Sequence, residues 1–93
     1  MALILIADDD SASFDVLAVA LTAEGHEVLY AANGQEALEM AAGSRPDLIF
    51  LDVMMPVFDG YENCERMRND PDIPEKLPII FLTATEEDPR RIE

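Results

Sequence analysis

Apolar residues fall along this chain in two kinds of run. Leu3-Ile4-Leu5-Ile6-Ala7, Val28-Leu29-Tyr30-Ala31-Ala32, Leu48-Ile49-Phe50-Leu51 and Ile79-Ile80-Phe81-Leu82 are short and continuous. Such runs read as strands buried on both faces, the habit of parallel sheets. Between them the spacing changes. Phe14, Leu17, Ala18 and Leu21 fall at i, i+3, i+4 and i+7 and make one apolar helix face. Ser11 or Ser13 is placed to cap that helix and Gly25 to end it. Ala37, Leu38, Ala41 and Ala42 give a short amphipathic helix, entered at Asn33-Gly34 and closed by Gly43. Residues 61–69 are helical in pattern, with Tyr61, Cys64 and Met67 inward. Pro71, Pro74 and Pro78 mark a loop, and Asp88-Pro89 opens a further helix before Glu93.

Strand and helix alternate throughout. That order predicts an α/β domain with right-handed crossovers, a doubly wound parallel sheet and helices on both faces. The 93 residues suffice for one domain, 1–93, with no repeat, low-complexity tract or linker. A chain this short buries only about 60–65% of its unfolded surface, so it has little core to spare.

Charge narrows the partners. Twenty acidic and six basic residues give a net charge of −14. Nucleic acid and anionic lipid both require positive charge, so neither is an expected partner. Divalent cations and basic protein surfaces are favoured. Cys64 is the only cysteine, which excludes an intramolecular disulfide and fits a reducing cytoplasm. No apolar stretch approaches the length of a membrane span. The first seven residues lack a basic flank and run straight into aspartates, unlike a secretion signal.

Candidate chemistry lies at the strand ends. Ligands of open parallel sheets bind outside the carboxyl ends of the strands. Strand one ends in Asp8, Asp9 and Asp10, strand three in Asp52, and strand four in Thr83. If strands one and three are neighbours, their aspartates converge. Crowded carboxylates repel, and a hard cation relieves that cost. Mg²⁺ needs only one or two carboxylates beside water and phosphate oxygens. Zinc does not fit, because the sole histidine, His26, begins a different strand and no cysteine pair exists. A carboxylate beside Mg²⁺ can attack a phosphoryl group and become an aspartyl phosphate. The Thr83 hydroxyl is placed to donate to a phosphoryl oxygen, and small Ala84 leaves room for it.

These residues carry a family resemblance over the whole chain. Leu5-Ile6-Ala7-Asp8-Asp9-Asp10, Gly25-His26-Glu27-Val28 leading to Ala31–Leu38, Pro46–Gly60 and Pro78–Ala84 resemble the response-regulator receiver domain. The block Leu48-Ile49-Phe50-Leu51-Asp52-Val53-Met54-Met55-Pro56-Val57-Phe58-Asp59-Gly60 is the most specific. The resemblance implies a flavodoxin-like sheet of order 2-1-3-4-5. It implies that Asp52 is the phosphoacceptor and that Asp9, Asp52 and the Met54 backbone carbonyl are direct Mg²⁺ ligands. Asp8 becomes an outer acidic partner acting through water, and Thr83 the switch hydroxyl. Pro56 and Gly60 shape the loop presenting Asp52. A histidine kinase or phosphotransfer protein is the implied donor.

The family pattern continues through a fifth strand, bearing a lysine that contacts the phosphoryl group, and a fifth helix. Neither has a counterpart among these residues, and Lys76, before strand four, reads as a surface residue. The expected architecture is therefore an incomplete receiver domain of order 2-1-3-4, ending within the fourth helix. Loss of the lysine should weaken self-phosphorylation and dephosphorylation. Strand four becomes an edge that invites self-association. The functional expectation is a phosphoacceptor signalling domain, not an enzyme. The alternative is a truncated, phosphorylation-independent interaction module or fragment that self-associates. An aspartate-nucleophile phosphohydrolase is disfavoured, since that family has a second aspartate where Met54 stands.

Overall fold

The computed structural model describes residues 1–53 and 59–82. The elements are β1 (Leu3–Ala7), α1 (Ser11–Ala23), β2 (Glu27–Ala31), α2 (Gly34–Ser44), β3 (Leu48–Asp52), α3 (Gly60–Arg68) and β4 (Ile79–Leu82). The four strands form one parallel sheet, as the alternation of elements predicts, in the order β2-β1-β3-β4 that the family resemblance implies. Expectations for Met54, Pro56, Thr83, Ala84 and the helix opened by Asp88-Pro89 lie outside the described residues.

Alternation along the strands divides two apolar layers. Leu5, Ala7, Ala31, Ile49 and Leu51 meet Ala37 and Ala41 of α2 and Met67 of α3, with Ile73 and Leu77 closing the layer below. Alanines at the α2 contact let helix and sheet approach closely. On the opposite face, α1 turns Phe14, Leu17, Ala18 and Leu21 inward, the set its spacing predicts. Phe14 stacks on Tyr30 with ring centroids 4.5 Å apart. The helices thus cover both faces.

Several boundaries differ from the sequence expectation, each for a local reason. The α1 cap is Asp10, not Ser11 or Ser13. Asp10 keeps the extended backbone leaving β1, and its Oδ1 accepts from the Ala12 N–H at 3.0 Å. The α1 terminus does use Gly25, at φ +90°. The Gly25 N–H donates to the Thr22 carbonyl and the His26 N–H to the Leu21 carbonyl, the paired bonds of a glycine-ended helix. Strand β2 starts at Glu27 and ends at Ala31, because Ala31 pairs with Ala7, the last residue of β1. Ala32 instead donates its N–H to Glu36 Oε1, within the α2 cap where Asn33 Oδ1 accepts from the Glu36 N–H. Helix α2 runs through Gly43 to Ser44, and Arg45 takes the left-handed conformation, φ 51°. Pro46 follows and blocks further helix.

Strand β4 is less buried than its apolar run suggests. Ile80 is 46% and Phe81 37% exposed, and β4 is an edge of the sheet among the described residues. Helix α1 also has an apolar outer strip, with Val16 72% and Val19 70% exposed. No helix among the described residues is long and apolar enough to cross a membrane.

Candidate functional site

The acidic residues gather because β1 and β3 are neighbours in register. Ala7 lies opposite Leu51, so the next step along the sheet brings Asp8 beside Asp52. The Asp8 N–H still donates to the Ala31 carbonyl at 3.0 Å, which holds its backbone to β2 as the chain leaves the strand. One carboxylate oxygen from each of Asp8, Asp9 and Asp52 lies within 4.8 Å of the others. Asp8 and Asp52 are buried and Asp9 is exposed. Asp10 is drawn away to cap α1, and in doing so donates its N–H to Asp8 Oδ1 at 2.9 Å.

Electrostatics record the crowding. Burial pushes the Asp8 carboxyl up from 3.8 to about 6. The Asp10 N–H opposes that rise, while hydrogen bonding to Asp52 and the charges of Asp52 and Asp9 add to it. Tyr30, at the neighbouring strand end, is also raised, by burial first and then by the Asp8 and Asp9 charges. Negative charge therefore concentrates at the carboxyl edge of the sheet. The donor set fits Mg²⁺: the atoms are all oxygens, and the spread suits a small ion that keeps several waters.

The loop after Asp52 returns to the sheet at α3. Gly60 donates its N–H to the Val53 carbonyl at 2.8 Å. A Cβ at Gly60 would stand 2.5 Å from the Asp52 carbonyl oxygen and 2.8 Å from Val53 Cα. Only glycine fits that contact. Asp59 then caps α3, its Oδ1 accepting from the Glu62 N–H at 2.8 Å. The Asp-Gly pair is thus a cap and a close approach, both fastening the element that follows Asp52.

Of the sequence-predicted site residues, Asp8, Asp9 and Asp52 come together. Met54 and Thr83 lie outside the described residues. His26 is remote, at the opposite end of the sheet, where its Nδ1 accepts from the Ala2 N–H at 3.0 Å. Lys76 is exposed, as expected. Sequence reasoning missed Asn63. Its pattern placed Tyr61, Cys64 and Met67 inward, but the fully buried residues of α3 are Gly60, Asn63 and Met67. Their i, i+3, i+7 spacing stands in the sequence, but Asn63 is polar and adds no apolar signal to it; Cys64 packs partly buried against the core, as expected.

The family model of the response regulator receiver domain matches residues 4–93. The chain belongs to that family. A transcriptional regulatory protein of Streptomyces coelicolor, AfsQ1, is 45% identical over 85 residues, 91% of this chain and 36% of the relative. The chain therefore spans about a third of that regulator's length. The receiver protein N-terminal domain of Methanoculleus marisnigri superposes with a TM-score of 0.87 at 36% identity, covering 97% of this chain and 72% of that one. The receiver domain of sensor histidine kinase PA1611 of Pseudomonas aeruginosa gives a TM-score of 0.87 at 31% identity, covering 97% and 73%. It was solved with a magnesium ion coordinated in its active site cleft. Receiver domains are signalling domains of two-component systems rather than metabolic enzymes, and they interact with histidine kinases or phosphotransfer proteins. The parallel order β2-β1-β3-β4 is the receiver-domain, flavodoxin-like arrangement.

Proposed function

We propose that this receiver domain takes a phosphoryl group onto Asp52 from a phosphohistidine of a histidine kinase or phosphotransfer protein. An Asp52 carboxylate oxygen attacks phosphorus, the P–N bond breaks, and the imidazole leaves with the electron pair. The product is an acyl phosphate. Asp9 and Asp52, with the Met54 carbonyl, would hold Mg²⁺ directly, and Asp8 through water. The ion would neutralise charge on the transferring oxygens. Thr83 supplies the hydroxyl that answers the new phosphoryl group, and the changed surface is read by a partner.

The observation that carries this reading is the convergence of Asp8, Asp9 and Asp52 oxygens within 4.8 Å. The raised Asp8 carboxyl supports a cation there, since positive charge removes the repulsion. The outer strip of α1 supports docking of a helical donor protein. It presents Val16 and Val19 on the helix that begins beside Asp9. A net charge of −14 favours a basic donor surface and disfavours nucleic acid, and the setting we assign is the cytoplasm.

Incubation with a small acyl-phosphate donor and Mg²⁺, followed by intact mass, tests the proposal. One phosphoryl adduct is expected, absent in Asp52→Asn and without Mg²⁺. A wild-type chain that gains no adduct would overturn it.

The exposure of Ile80 and Phe81 on β4, an edge of the sheet among the described residues, favours a second reading, a module that self-associates without phosphorylation. Light scattering coupled to size exclusion separates the two. A dimer at micromolar concentration with no adduct supports the second reading, and an adduct-forming monomer supports the first.

A further inference from the structure

Asn63 is fully buried in the first half of α3. Its backbone N–H donates to the Asp59 carbonyl at 2.9 Å, as helix geometry demands. Its side chain does something else. The Nδ2 group donates to the Gly34 carbonyl at 2.9 Å, crossing to the first residue of α2. Its Oδ1 has no hydrogen-bond partner among the described residues. A buried acceptor left without a donor costs stability, and an apolar side chain of the same size would avoid that cost. That cost offsets what the Gly34 bond contributes, so net stability gives little reason for the asparagine.

Its place in the fold does. Helices α2 and α3 both start at the carboxyl edge of the sheet, beside the acidic cluster. Asn63 is their polar tie across an otherwise apolar layer. One turn earlier on α3 is Gly60, whose N–H is fixed to the Val53 carbonyl and which lies so near the Asp52 backbone that an added Cβ would stand 2.5 Å from the Asp52 carbonyl oxygen. From Gly34 the contacts run through Asn63 to Gly60 and so to Asp52. The one side-chain step, from Asn63 Nδ2 to the Gly34 carbonyl, is fully buried.

We propose that Asn63 is a positioning residue for Asp52: its bond to the Gly34 carbonyl fixes α3 along its axis, and α3 fixes the main chain that aims the Asp52 carboxylate. The inference rests on the reading of Asp52 as phosphoacceptor. Small displacements of a reacting group cost much rate, while folding tolerates them. Stability and phosphorylation therefore respond oppositely to the loss of this bond.

Asn63→Leu in the full chain tests the inference, with three readouts: urea stability, Mg²⁺ midpoint, and phosphorylation rate at saturating acyl phosphate. The expected result is equal or higher stability, a Mg²⁺ midpoint within about twofold, and a maximal rate lower by about tenfold or more. A rate equal to wild type, or one that falls only with the folded fraction, overturns it. The wild-type protein gives an arm independent of how the variant folds. The Asn63 side-chain amide resonances should be protected from exchange and should shift when Asp52 is phosphorylated; unprotected or unmoved resonances overturn it. Absence of any wild-type adduct would instead sink the phosphoacceptor reading, and this inference with it.

Discussion

Gly60 stands so close to Asp52 that a single added methyl would meet the Asp52 carbonyl oxygen at 2.5 Å. The obstacle is backbone, which cannot rotate away. Gly60→Ala is therefore expected to lower unfolding free energy by about 1–3 kcal/mol, the usual cost of overpacking. Urea titration measures it. Phosphoryl loading of the folded fraction should fall as well, because relief of the clash displaces the Asp52 main chain.

Asp8 links pH to stability. Its folded carboxyl titrates near 6 against an ordinary 3.8, so the folded state holds that proton more tightly than the unfolded chain does. Its contribution to stability is fully present below pH about 4 and is lost as pH rises through about 6. Thermal melts of the metal-free protein should show this contribution, and millimolar Mg²⁺ should flatten it. Asp8→Asn should melt several degrees higher than wild type at pH 7.5 without metal, while binding Mg²⁺ more weakly. A variant that melts lower would contradict the assignment.

Val19 offers a test of where a donor protein lands. It is 70% exposed on α1 and takes no part in the core. Val19→Glu should change stability by less than about 0.5 kcal/mol. Transfer from a phosphorylated donor protein should slow by about tenfold, while labelling by a small acyl phosphate stays at the wild-type rate. Equal slowing of both would place the defect in the carboxylate site instead.

Arg45 carries backbone strain that glycine would remove. It is the sole non-glycine residue at positive φ among the described residues. Arg45→Gly should raise the melting temperature modestly, a gain of about 0.5–1 kcal/mol less the extra freedom of the unfolded chain.

The strands and the acidic site were legible in the sequence for a physical reason. A parallel strand is buried on both faces, so its run is continuous, and the residue that ends it is set at the ligand edge. Leu3–Ala7 followed by Asp8, and Leu48–Leu51 followed by Asp52, show both features at once. The caps were less legible, because Asp10, Ser11 and Ser13 are all competent and only the path out of β1 selects Asp10. Asn63 was hidden because apolar periodicity scores a buried amide as a surface residue. Its bond to the Gly34 carbonyl joins two helices whose relation no local pattern encodes.

The partnership of β1 with β3 has a kinetic consequence. All of α1, β2 and α2 lies between Asp8 and Asp52, so no hairpin or local turn can bring them together. The acidic pocket comes into being only once that long loop has closed, and the entropy of closing it makes such parallel pairing slow. An ion bound there clasps the finished topology. It should lengthen the lifetime of the native chain far more than it hastens the collapse that precedes it.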